Sequence, residues 1–159
     1  MKRLQKRTLS PWAAAIWFLI LAALATGVSL WAQPGGVWSD TLSFFLTEPK
    51  LILLNGGAAL LLMGAVFCLV HNVFYAGAIT ELIWGLLSYV NTLKTSARGD
   101  PFVPGDVLLF TEGLEAVGDY RLDMRYSILA VVLGVGLVLV LFGLRYKCRK
   151  VRFWKRLVC

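Results

Sequence analysis

The chain has 159 residues, of which 58% are hydrophobic and only 16% charged, and its mean hydropathy is +0.73. A soluble domain of this length carries more charge on its surface, so the composition places the chain in the membrane class. The formal net charge of +7 and the pI of about 9.6 do not point to nucleic acid, because the basic residues sit in two short flanks of apolar runs and build no folded basic face.

Lys2, Arg3, Lys6 and Arg7 precede the first apolar run, Pro11–Ala32. A basic start followed by an apolar core also describes a cleavable signal peptide, with Ala25 and Gly27 bounding the best cut. The run is longer than a usual signal core, however, and its loss would leave an odd number of spans, so it reads as a helix. Further runs follow at Leu51–Val70, Val73–Leu93 and Tyr126–Leu144. Each approaches the roughly 20 residues that cross a bilayer core. The sequence thus predicts an all-α membrane protein with four transmembrane helices. His71-Asn72 is the only polar break between the second and third runs, which makes them a tight hairpin, with His71 capping or solvating it.

Basic residues set the orientation. Arg145, Lys147, Arg149, Lys150, Arg152, Lys155 and Arg156 follow the fourth run, whereas Gln33–Lys50 holds one basic residue at its very end. The positive-inside rule then puts both termini in the cytoplasm and Gln33–Thr47 and Lys94–Asp123 outside. Trp12 and Tyr146 mark the inner interface, and Trp31, Tyr89 and Tyr126 the outer one. The basic tail, residues 145–159, attracts anionic phospholipid. Val151, Phe153, Trp154, Leu157 and Val158 interleave with its charges, as in a short interfacial helix.

The outer loop, residues 94–125, opens with Asn91-x-x-Lys94-x-x-x-Arg98-Gly99-Asp100-Pro101-x-x-Pro104-x-Asp106. Pro101 and Pro104 turn the residues before them away from helix, and Gly99 and Gly105 free the turn. Asp106 is placed to cap a new helix, Val107 to about Gly118. Val107, Phe110, Leu114 and Val117 share one face of it, and Glu112, Glu115 and Asp119 the opposite face. The result is a short amphipathic helix outside the membrane.

Few residues carry candidate chemistry. Glu81 lies inside the third span, where a carboxylate is costly unless it is paired, protonated or facing water. A functional acid and a structural hydrogen bond to a neighbouring helix are both open. Cys68 and His71 have no further ligand nearby, so a metal site is not expected. Cys68, Cys148 and Cys159 map to the cytoplasmic side as free thiols. Gly57 and Gly64 on the second span, and Gly136 and Gly143 on the fourth, hold small residues on one face for close helix packing. No catalytic residue or cofactor site emerges.

The segment Asn91–Asp106 resembles the loop in the membrane domain of lipoteichoic acid synthase-like proteins, the membrane-anchored sulfatase-fold phosphoglycerol transferases of the bacterial cell envelope. Their pattern runs Asn-x-x-Lys-x-x-x-Arg-Gly-Glu-Pro-x-x-Pro-x-Asp-Leu with an acid shortly after. Asp100 stands here for the usual Glu, Gly105 for Trp or Ser, and Val107 for Leu, while Glu112 matches the later acid. The resemblance extends more loosely over the flanking apolar runs. It implies a module that anchors a sulfatase-like extracytoplasmic domain and positions a lipid-linked glycerophosphate. That domain, with its metal-activated threonine nucleophile, follows a fifth span in the family and is not in this sequence.

By the resemblance, Lys94 and Arg98 meet phosphate or headgroup as cations; Arg98 paired with Asp100 or Asp106 would instead shape the loop. Two other classes stay open. Small four-helix proton-coupled transporters also carry a membrane acid, but in the first span and with short loops, unlike Glu81 and residues 94–125. An accessory protein that binds a separate membrane enzyme is the third class.

Overall fold

The computed structural model describes residues 7–33, 37–47, 49–98, 103, 105 and 126–148. In chain order it runs β1 (Arg7–Leu9), α1 (Pro11–Ala32), α2 (Trp38–Thr47), α3 (Pro49–Val70), α4 (Val73–Arg98), α5 (Tyr126–Arg145) and β2 (Tyr146–Cys148). Helices α1, α3, α4 and α5 are long and apolar enough to cross a membrane. The expected amphipathic helix at 107–118 and the tail beyond Cys148 lie outside the described residues.

Helix starts follow the local chemistry. Ser10 caps α1 by accepting from the Ala13 amide at 3.2 Å, and Pro11 takes the first helical position, where its missing N–H costs nothing. Pro49 does the same for α3, two residues ahead of the apolar run. Helix α2 was not foreseen in the stretch Gln33–Lys50. Its hydroxyls are satisfied within it: Thr41 Oγ1 donates to the Val37 carbonyl, Ser43 Oγ to that of Asp40 and Thr47 Oγ1 to that of Ser43, at 2.8–2.9 Å.

Helix α4 runs past the end of the expected third span at Leu93. It continues to Arg98, so Asn91, Lys94 and Arg98 stand on a helix and not in a loop. The apolar pattern ends before the helix does, because no breaker occurs until Gly99. Thr95 and Ser96 back-bond to the carbonyls of Asn91 and Thr92 at 2.8 Å, which keeps their hydroxyls satisfied in the last turns.

Helix α4 is also the centre of the bundle, packed against α1, α3 and α5. Its span is the least apolar, with mean hydropathy 1.4 against 2.2 to 2.8 for the others, yet 56% of it is buried against 17% for α3. The helix with the most polar groups is thus the one most shielded from lipid, as expected where no water is at hand.

Small residues let α4 approach its neighbours. A Cβ added at Gly136 would sit 2.9 Å from Leu82, and one at Gly143 only 2.6 Å from the Tyr75 ring, so the expected α5 pair does pack on α4. Gly77 and Gly85 of α4 receive Leu21 and Val132 in the same way, at 2.8 Å each. The α3 pair does not serve this role: Gly57 meets nothing within 4 Å and Gly64 only the Phe18 ring at 4.0 Å.

The hairpin end closes through His71 and Asn72. His71 adopts a left-handed φ of 63°, its amide donates to the Phe67 carbonyl at 3.0 Å, and its ring Nδ1 lies 2.8 Å from the Leu69 carbonyl, so it terminates α3. Asn72 Oδ1 accepts from the Phe74 amide at 3.0 Å and caps α4. Its Nδ2 donates to the carbonyls of Gly143 and Tyr146 at 3.2 and 3.0 Å, at the last turn of α5.

A short parallel pair, β1 with β2, joins Arg7 to Tyr146 and Leu9 to Cys148 at the same end. Beneath it, the Phe74 ring lies 5.3 Å from Trp17 and 5.7 Å from both Phe142 and Tyr146. One apolar cluster, with Leu21, Met63, Phe74 and Leu139, fills the hairpin end. A second, with Ala32, Tyr89, Ile128 and Val132, fills the opposite end.

Candidate functional site

A polar seam runs between the two apolar clusters. At about 100° per residue, Glu81, Trp84, Ser88 and Asn91 fall on one face of α4. Ser88 meets α1 through a hydroxyl–hydroxyl bond to Ser29, and Thr92 Oγ1 donates to the Ala32 carbonyl at 2.8 Å. Thr26 turns its hydroxyl back to the Ala22 carbonyl at 2.8 Å and so adds no open donor to the seam. Buried hydroxyls in an apolar bundle need such partners, and they pin α1 to α4 at this level.

Towards the end opposite the hairpin the seam widens into a cleft of about 160 Å³. Ser29 and Gln33 of α1, Asn55 of α3, and Trp84, Ser88 and Asn91 of α4 line it. Asn55 holds its place by donating from Nδ2 to the Leu51 carbonyl at 2.8 Å, which leaves its side-chain oxygen as an acceptor. Amides, hydroxyls and one indole suit a small polar or amphiphilic group. Among the described residues no three of His, Cys, Asp or Glu come together as a metal site.

Glu81 stands deeper, about 12 Å along α4 from its start. It is 1% exposed, and neither carboxylate oxygen has a hydrogen-bond partner among the described residues. Trp84 Nε1 and Thr80 Oγ1 are likewise buried without one. A helical side chain leans towards the start of its helix, so the Trp84 indole covers the turn that carries Thr80 and Glu81. Trp84 thus lines the cleft and stands about one turn beyond Glu81 on the same face of α4. Of the two readings open for Glu81, a hydrogen bond to a neighbouring helix is not found among the described residues.

The sequence motif divides at this point. Asn91 lines the cleft, Lys94 follows one turn further at a half-buried position, and Arg98 closes the helix. Gly99, Asp100, Pro101, Pro104, Asp106 and Glu112 lie outside the described residues. The sequence alone does not single out Ser29, Asn55, Trp84 and Ser88. The signal was present on α4 alone, as polar residues recurring every three or four positions inside an apolar run; nothing local marks Ser29 or Asn55 as their partners.

The fold and the seam together define a multi-pass α-helical membrane protein with a polar interior. No protein-family model, curated protein or solved structure matches the chain.

Proposed function

We propose that the chain is a membrane module of the lipoteichoic acid synthase-like kind, which holds a lipid-linked glycerophosphate at the outer leaflet of the plasma membrane for a sulfatase-like extracytoplasmic domain or a separate enzyme. The observation that carries this reading is the position of Asn91. The first residue of the motif lines the cleft, and Lys94 and Arg98 follow it on the same helix towards the outer end. Two cations beyond a polar cleft fit a phosphate with a hydroxylated headgroup. The module itself supplies binding and anchorage, with no nucleophile and no cofactor.

Both termini face the cytoplasm in this reading, and the basic tail meets anionic phospholipid there. The asymmetry of basic residues supports it, as does the pairing of β1 with β2, which brings both ends of the described chain beside the hairpin. A cysteine at Ser39, an exposed position on α2, is expected to react with an impermeant maleimide in intact cells lacking the native cysteines. One at Ser10 is expected to stay unlabelled. The reverse pattern overturns the orientation.

Lipid recognition has its own test. Phosphatidylglycerol added to the detergent-solubilised chain is expected to raise its melting temperature, a ligand at a hundredfold excess over Kd being worth about 2.7 kcal/mol. Phosphatidylcholine is expected to have little effect, and Lys94→Ala with Arg98→Ala to abolish most of the gain. Equal stabilisation by both lipids, or an unchanged response in the double variant, overturns the reading and favours a transporter built on Glu81.

A further inference from the structure

The buried carboxylate lies beneath the cleft used by the proposed headgroup and, with it, makes a further site that needs neither Lys94 nor Arg98. We infer that Glu81, the Trp84 indole and the cleft together bind a small organic ammonium ion. An ionised carboxylate only accepts hydrogen bonds, so whatever completes Glu81 must be a donor or a cation. Among the described residues, no element packed against α4 brings a cation to it. Helix α1 has no titratable residue at all, α3 has only Lys50 in its first turn and the exposed Cys68, and α5 has only exposed Tyr126 and terminal Arg145. On α4 itself Tyr75 packs against Gly143 of α5, Tyr89 packs in the apolar cluster with Ala32, Ile128 and Val132, and Lys94 and Arg98 lie about 20 and 25 Å further along the helix.

The surroundings select the class of cation. A metal ion needs several oxygen ligands, and Glu81 brings the only carboxylate in the four spans. Protonation alone leaves a buried O–H and C=O still without partners. An indole face attracts an organic cation, and desolvation strengthens that attraction. The cleft suits the size: a cavity of roughly 150 Å³ admits a benzene-sized molecule, and this one is about 160 Å³. An ammonium entering from the outer end meets the oxygens of Asn55 and Ser88 first, then Trp84. With the indole turned aside it reaches the carboxylate. There it replaces the carboxyl proton, which leaves to solvent, so ammonium and proton exclude one another at Glu81.

The test uses the full chain in a maltoside detergent, titrated calorimetrically with tetramethylammonium chloride and, separately, with sodium chloride. Saturable binding of tetramethylammonium is expected, tighter near pH 8 than near pH 5, because ammonium and proton exclude one another at Glu81. Glu81→Gln should abolish it; Trp84→Ala should weaken it and Trp84→Phe, which keeps an aromatic face, should weaken it less. Lys94→Ala should leave it unchanged, which separates this site from lipid recognition. Thermal melts establish that each variant is folded, and if Glu81→Gln is not, the pH dependence and the Trp84 pair carry the test. No saturable binding at either pH, equal binding by folded Glu81→Gln, or equal competition by sodium overturns the inference.

Discussion

Asn72→Ala is expected to destabilise the bundle by about 2–4 kcal/mol, the largest loss of any single polar substitution. The figure combines a helix cap worth about 1 kcal/mol with one buried and one part-buried hydrogen bond at about 1 kcal/mol each. Asn72 is 7% exposed and acts on two helices at once. Its oxygen satisfies an amide at the start of α4, and its amide group satisfies carbonyls of Gly143 and Tyr146 at the end of α5. Helix ends are where backbone groups lack intrahelical partners, and lipid offers no replacement. Asn72→Ser keeps a capping oxygen but cannot span to α5, so it should recover about 1 kcal/mol of the loss. Chemical unfolding in detergent measures both, and a loss below that of an ordinary surface cap would show that the α4–α5 bridge contributes nothing.

Gly143→Val is expected to cost about 1–3 kcal/mol through overpacking. A Cβ there falls 2.6 Å from Tyr75 Cε1 and 2.7 Å from Cδ1, well inside contact distance, and the ring is wedged between α4 and α5. The same unfolding assay should show Tyr75→Ala and Gly143→Val to be non-additive by roughly 0.5–3 kcal/mol, since the smaller side chain opens the space that valine needs. Gly57→Ala supplies the contrast. Nothing lies within 4 Å of its added Cβ, so the change should be neutral or stabilising by up to about 1 kcal/mol from helix propensity. A destabilised Gly57→Ala would place α3 against a neighbour that the structure does not show.

The spans and the hairpin were legible in the sequence because they rest on local quantities. Runs of about 20 apolar residues have one economical conformation in lipid, and His71-Asn72 is the only break available between two of them. Helix ends were less legible. Hydropathy falls at Leu93, whereas helix persists until a residue opposes it, and Thr95 and Ser96 do not. Helix α2 escaped notice for a related reason: serine and threonine disfavour helix on average, but here their hydroxyls bond back to carbonyls one turn earlier.

The glycine pairs show the same division. Gly57/Gly64 and Gly136/Gly143 have the same spacing and read alike, but only the second pair faces a helix that closes upon it. Spacing says which residues share a face and is silent on what that face meets. The same holds for Glu81. Its cost within an apolar run was readable from composition alone. That both oxygens lack a partner among the described residues, and that Ser29 and Asn55 complete a cleft with Trp84, Ser88 and Asn91, depended on how α1 and α3 pack around α4. The sequence by itself determined the membrane class, the four spans and the presence of a buried acid, because hydropathy acts residue by residue. Tertiary structure alone decided which helix is central and where the polar groups converge, because those depend on which faces of separate helices come into contact.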